Sequence, residues 1–297
     1  IPELKGFFQY MAKINTPRKK NFNFSLKLLQ WYDRYGRNLP WREKDGRAPS
    51  PYHTWLSEIM LQQTGVATVI PYYQNFTRRW PNIRALAAAS EGEILKQWEG
   101  LGYYSRAHNL LKCARQVVAD HKGKLPRDIK MLNDLPGIGP YTANAIAAIA
   151  FDQPAVVVDG NVERVMARLF GYAQPINTPK GKKDLTALAA SLSPLKRSGD
   201  YAQGLMDLGA MICTPKNPDC AHCPWRTACK AFALGKTAQW PVKTKKKATP
   251  TRYAVAYVVT DKTGHILLQQ RPAKGLLGGL WEFPGTQARA KPFTSSE

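Results

Sequence analysis

The chain has 297 residues, enough for two domains and an appendage, and sets 43 Lys and Arg against 21 Asp and Glu for a formal net charge of +22. That excess calls for a polyanionic partner, and nucleic acid fits best. A membrane partner is not expected, because the sequence has no apolar run of about eighteen residues and no basic amphipathic stretch with a continuous apolar face. Residues 1–13 lack the apolar core and cleavage pattern of a secretory signal, so an intracellular protein is expected. Of five cysteines, four fall between Cys213 and Cys229, a clustering that suits metal ligation better than a disulfide framework.

Residues 1–23, with Arg18-Lys19-Lys20, read as a basic extension. Between Ser25 and Tyr35, Leu28, Leu29, Trp31, Tyr32 and Tyr35 mark an amphipathic helix that stops before Gly36. Leu39-Pro40-Trp41-Arg42 follows as a non-helical turn with Trp41 buried. A second helix is expected from Trp55 to Tyr73, with Leu56, Ile59, Met60, Val66, Ala67 and Ile70 as its core face. Glu58 lies beside that face, one turn from both Trp55 and Leu61, and is expected to be partly desolvated. Desolvation raises a carboxyl pKa, so such a group can carry a proton near neutrality; a solvated surface glutamate is the ordinary alternative.

Glu99-Gly100-Leu101-Gly102-Tyr103-Tyr104-Ser105-Arg106 forms a glycine turn into a helix, with two tyrosines at its tip. Pro136-Gly137-Ile138-Gly139-Pro140 cannot lie inside a helix and reads as a hairpin anchored by Leu132, Leu135 and Ile138. Pro140 suits the first position of the helix that continues through Thr142 to Ala150, so the hairpin amides point outward at a helix N-terminus, where a phosphate is favoured. After the strand-like Val156-Val157-Val158, Asp159 precedes Val162, Val165, Met166 and Leu169 at helical spacing and is a natural N-cap. Lys180, Lys182 and Lys183 lie on a loop leading into a helix. Cys213, Cys220, Cys223 and Cys229 form a C-x6-C-x2-C-x5-C array, able to hold zinc or an iron-sulfur cluster. Cys113, among apolar neighbours, reads as a core residue. Residues 236–252 form a basic, proline-containing linker. Beyond it Tyr253–Val259 and His265–Gln269 read as paired strands about a turn at 261–264.

Taken together, LPGIGPYTA at 135–143, VDGNV at 158–162, WLSEIMLQQT at 55–64 and GLGYY at 100–104 resemble the MutY-type adenine DNA glycosylases of the endonuclease III, helix-hairpin-helix superfamily. The resemblance is dense over residues 24–232 and partial over 253–285. It implies a mainly α fold of two helical lobes: a six-helix lobe over 52–158 and a cluster lobe built from 24–51 and 159–235. Gly278 to Gly285 resembles the start of the family's Nudix-like domain and then stops, so residues 253–297 are expected to be a shortened Nudix-like segment. After Gly285 the sole acid is Glu297, too few for the magnesium-binding helix of a pyrophosphohydrolase.

The same resemblance implies a 4Fe-4S cluster on Cys213, Cys220, Cys223 and Cys229. Glu58 is implied as the acid that protonates adenine, and Asp159 as the carboxylate facing the sugar cation, arranged by Asn161 and Tyr141. Gln63, Thr64, Leu101, Tyr103, Gly137, Gly139, Trp41 and Arg42 are the residues expected to contact DNA or the base. The implied partner is double-stranded DNA with adenine opposite 8-oxoguanine or guanine, bound by a monomer. In the bifunctional branch the position of Tyr141 is a lysine that attacks the sugar, and tyrosine cannot form that imine. A monofunctional glycosylase is therefore expected, ahead of a bifunctional enzyme for oxidised pyrimidines or a damage-binding protein without catalysis.

Overall fold

The computed structural model describes residues 22–43, 49–245, 249–272, 275 and 277–294. Residues 1–21 of the expected basic extension lie outside the described residues. From the N-terminus run α1 (Phe24–Tyr35), α2 (Pro51–Leu61), α3 (Val66–Arg79), α4 (Ile83–Ala87), α5 (Glu91–Trp98), α6 (Ser105–Asp120), α7 (Ile129–Asn133) and α8 (Pro140–Phe151). There follow α9 (Gly160–Phe170), α10 (Pro179–Ala190), α11 (Ser198–Asp207) and the one-turn α12 (Lys230–Ala233). The chain is mainly α, as the sequence implies, and no described helix is long and apolar enough to cross a membrane. Side chains of Asn23, Ser50, Ser90, Asp128 and Thr178 accept backbone amides at the starts of α1, α2, α5, α7 and α10, each cap contributing about 1 kcal/mol.

Periodicity predicts one helix from Trp55 to Tyr73, but the structure has two, with a break between Leu61 and Val66. Gln63 adopts the left-handed region at φ 59°. The carbonyls of Ile59, Met60 and Gln62 accept from the Arg106 guanidinium at 3.2, 2.9 and 2.6 Å. A partner from α6 thus terminates α2, and no local pattern could announce it.

α2 to α8 enclose an apolar core in which Trp55, Phe76 and Trp98 are fully buried. Leu39 and Trp41, from the segment after α1, join this core, as does Cys113. A second core gathers α1, α9, α10 and α11 around Leu28, Met166, Leu205 and Trp225. Between them α8 lies directly on α11, with Ala145, Ala148 and Ile149 against Ala202. Gly199 is needed there, since a Cβ would stand 2.7 Å from the Ala148 carbonyl oxygen. The C-terminal segment holds β1 (Gln269–Gln270) and β2 (Trp281–Glu282), paired antiparallel. The hairpin expected from 253–259 and 265–269 forms only next to its turn, with the Thr260–Ile266 bridge and the Leu267 amide on the Val259 carbonyl at 2.9 Å, while Ala256 and Tyr253 bridge to Gly285 and Arg289. The pairing preferences of these residues are met by later segments instead.

At the C-terminal end of α11, Asp207 is fully buried. It accepts from Arg37 Nε at 2.7 Å, from the Arg37 amide at 2.8 Å and from Arg42 Nη1 and Nη2 at 2.7 and 2.9 Å. Burial works against this carboxylate, but Arg42 and Arg37 outweigh it and hold its pKa below the usual aspartate value. Removing one partner of such a buried pair strands the others, so Asp207→Asn should cost about 3–5 kcal/mol at neutral pH. Because the folded pKa is depressed, the stabilisation is full above pH 3.8, the ordinary aspartate value, and is lost as pH falls through the folded value. Urea unfolding at a series of pH values measures both the loss and its convergence in acid.

Candidate active site

Glu58 is carried on α2 and is 7 % exposed. Tyr141, in the first turn of α8, is close enough for its hydroxyl to favour the charged form of the Glu58 carboxylate, and it approaches Met206 Sδ at 3.6 Å. Asp159 caps α9, its Oδ1 accepting the Val162 amide and its Oδ2 the Asn161 side-chain amide, both at 2.8 Å. Burial first, and then the charge of Asp159, push the Glu58 carboxyl up to about 7 against the opposing pull of the Tyr141 hydroxyl and Arg42. The Tyr141 phenol is itself raised far above its ordinary range, first by burial and then by the charges of Glu58 and Asp159. Two carboxyls therefore share one site, with unlike surroundings.

Glu58 opens onto a pocket lined by Trp41, Arg42, Thr54, Ser57, Leu61, Val66, Ile149, Gln203 and Met206. Trp41 is buried and meets Tyr73 edge to face at 5.3 Å. Arg42 reaches the pocket while its guanidinium stays paired to Asp207. The structure thus brings Glu58, Asp159, Tyr141, Asn161, Trp41 and Arg42 into one region. Arg37, Gln203, Met206 and Asp207 were not foreseen. Gln203, Met206 and Asp207 lie far along the chain from Glu58, no spacing marks any of the four, and only a buried acid at Asp207 could have hinted at a partner.

The expected DNA-contact residues lie on separate, outward-facing loops. Gly137 (φ 78°) and Gly139 are exposed, and their amides have no partner among the described residues. Gln63 is exposed and Thr64 half-buried in the turn between α2 and α3. Tyr103 is 60 % exposed with φ 48°. Leu101 differs from expectation: its side chain is buried in the first core and supports the loop from below, so it does not face a ligand. An apolar side chain between two glycines is drawn inward once the loop folds back on α5.

Cys213, Cys220, Cys223 and Cys229 surround a hollow shared with Ile212, Pro218 and Phe232. Arg168 Nη1 lies 3.4 Å from Cys213 Sγ and also donates to the carbonyls of Thr214 and Cys213. Arg164 donates to the Cys213 carbonyl at 2.7 Å and to Asn161 Oδ1 at 2.8 Å. The cysteine loop is therefore hydrogen-bonded, through Arg164 and Asn161, to Asp159. Among the described residues no three His, Cys, Asp or Glu side chains group tightly enough to ligate a single ion.

Residues 56–190 match the HhH-GPD superfamily of base excision DNA repair proteins, and residues 254–295 match the NUDIX domain. The second match runs past Gly285, where the motif resemblance was expected to end. The adenine DNA glycosylase of Buchnera aphidicola from Schizaphis graminum is 37% identical over 269 residues, covering 90% of this chain and 76% of that protein. The chain belongs to the adenine DNA glycosylase family. The family's mouse member is 39% identical over 88% of this chain but 60% of its own length, so the chain spans about three fifths of that relative. A solved thermostable thymine-DNA glycosylase superposes with a TM-score of 0.63 at 32% identity, over 71% of this chain and 95% of that one. An endonuclease III, 21% identical with a TM-score of 0.58, shares the fold.

The raised Glu58 pKa has a consequence for stability that is independent of any substrate. A group whose folded pKa exceeds its unfolded value favours folding below the unfolded value, 4.5, and that advantage is lost as pH rises through about 7. Glu58→Gln should therefore stabilise the protein by on the order of 2–3 kcal/mol at pH 8 and confer no such gain at pH 4. Denaturant unfolding at the two pH values is the measurement; equal effects at both would mean that Glu58 is solvated.

Proposed function

We propose that the chain is a monofunctional DNA glycosylase that removes adenine mispaired with 8-oxoguanine or guanine from double-stranded DNA. The observation that carries this reading is a buried carboxyl with a pKa of about 7, set against a second carboxylate and a tyrosine beside a pocket.

A purine leaves poorly as an anion. In the proposed reaction the C1′–N9 bond breaks with its electron pair moving to the base, and Glu58 supplies the proton that neutralises the departing adenine. The deoxyribose is left as an oxocarbenium ion, which the Asp159 carboxylate stabilises. Both Asp159 oxygens are held, one by the α9 N-terminus and one by Asn161, so the charge is pre-oriented. Glu58, now ionised, accepts a proton from the water that attacks C1′, while Tyr141 keeps its carboxylate in place. The base must leave the stack to reach this pocket. Exposed Gln63 and Tyr103 serve as the wedge with half-buried Thr64 beside them, the amides of Gly137 and Gly139 hold backbone phosphate, and the excess positive charge supplies affinity.

Four thiols around an apolar hollow, with a guanidinium on one sulfur, fit a 4Fe-4S cluster held by Cys213, Cys220, Cys223 and Cys229. The four thiolates would be the ligands of such a cluster. The group would fix the loop from Cys213 to Cys229.

Single-turnover assays on duplexes carrying adenine opposite 8-oxoguanine, adenine opposite guanine, thymine opposite guanine, and thymine glycol test the reading. Excision is expected on the two adenine mispairs and should slow as pH rises through about 7, since the acid form of Glu58 is required. Glu58→Gln and Asp159→Asn should each lower the rate by at least about 100-fold while leaving duplex affinity largely intact. Preference for either thymine lesion would overturn the assignment.

Tyr141→Lys places an amine beside the sugar and should yield a borohydride-trappable covalent complex with DNA. Equal trapping by the unaltered protein would instead support a bifunctional enzyme.

A further inference from the structure

Arg106 has no role in the chemistry above, yet its side chain is among the most heavily bonded in the molecule. It is 8 % exposed and makes no ion pair among the described residues. Its Nη1 donates to the carbonyls of Ile59, Met60 and Gln62, and its Nη2 to Thr64 Oγ1 at 3.1 Å and to the carbonyls of Leu101 and Gly102 at 2.9 and 3.2 Å. The guanidinium also lies over the rings of Trp98 and Tyr103, 5.1 and 5.7 Å from their centroids. One nitrogen thus holds the frayed C-terminus of α2 and the other spans to the glycine loop. A cation is well placed at a helix C-terminus, where the carbonyls carry partial negative charge.

The loop is fixed from the other side as well. Trp98 Nε1 donates to the Gly102 carbonyl at 3.0 Å and the Tyr72 hydroxyl to the Glu99 carbonyl at 2.6 Å. Its backbone carbonyls therefore face inward, and Tyr103 is turned out in a left-handed conformation. Gln63, also left-handed, is exposed in the turn whose Gln62 carbonyl and Thr64 hydroxyl the same guanidinium holds.

We propose that Arg106 is a positioning residue that locks the Gln62–Thr64 turn to the Leu101–Tyr103 loop, so that Gln63 and Tyr103 enter the duplex as a single wedge of fixed spacing. This rests on the wedge role given to those residues above. Only a planar fork can serve both loops; lysine keeps the charge but offers a single point of donation.

Arg106→Lys is the test, with melting followed by circular dichroism to establish folding. A duplex holding a tetrahydrofuran abasic analogue next to 2-aminopurine reports unstacking with no excision required. The unaltered protein should raise the fluorescence, and the variant should give at most about half that rise. In single-turnover excision of adenine, Arg106→Lys should slow the reaction about 10–100-fold, but by less than about twofold when Gln63 and Tyr103 are already alanine. The same factor in both backgrounds, or an unchanged rise in fluorescence, would overturn the proposal. If Arg106→Lys does not fold, Gln63→Ala and Tyr103→Ala decide it: a locked wedge makes their effects on fluorescence non-additive, and independent effects refute it. Absence of adenine excision by the unaltered protein would sink the glycosylase reading alone, because the fluorescence arm still judges the lock.

Discussion

The close approach of α8 to α11 is the constraint on which the rest of the molecule depends. Ala145 and Ala148 on one helix meet Gly199 and Ala202 on the other, and at Gly199 even a methyl group would press on the Ala148 carbonyl. Small residues allow the backbones to come together, and the two cores meet along this seam. Because α8 also packs on α2 and carries Tyr141 in its first turn, the same seam sets Glu58, on a helix of the first core, near Asp159, which caps a helix of the second. Asp207, at the end of α11, then binds Arg37 and Arg42 and seals the edge.

That ionic seal also accounts for the electrostatics of Glu58. Arg42 lies close enough to favour an ionised Glu58, but both of its terminal nitrogens are engaged by Asp207. Its pull on Glu58 ranks below burial, the charge of Asp159 and the Tyr141 hydroxyl. A cation committed elsewhere leaves the carboxyl protonatable near neutrality, whereas a free arginine beside it would have driven its pKa down. Asp159 has different surroundings, its oxygens accepting from the α9 N-terminus and from Asn161. The two carboxyls are distinguished by their surroundings, not by residue type.

The outward loops follow a different logic. Gln63 and Tyr103 occupy left-handed backbone conformations, a strain on the order of 1–3 kcal/mol each that persists only where surrounding contacts over-determine it. Here the contacts are carbonyls drawn inward by Arg106, Trp98 and Tyr72, and the side chains are forced outward in consequence. Rigid backbone with exposed side chains suits surfaces that must displace part of a partner without first being ordered themselves.

Local signals were legible in the sequence because they depend on neighbours along the chain. The Pro-Gly hairpin between α7 and α8, the cap at Asp159, the clustered cysteines and the placement of Glu58 beside an apolar helix face all belong to this class, and motif resemblance linked them to one fold. The break after Leu61, the burial of Leu101, the pairing of the C-terminal strands and the Asp207 ion cluster were not legible. Each is decided by a partner distant in sequence: Arg106 for the helix end, α5 for the leucine, later residues for the strands, Arg37 and Arg42 for the aspartate. Periodicity reports which face of a segment is apolar, and sequence therefore determined most of the helices and the place of Glu58 beside an apolar face. How far α2 runs, and whether Glu58 keeps a proton, depend on burial and charge that exist only once the two cores have closed on each other, and these the tertiary structure alone decided.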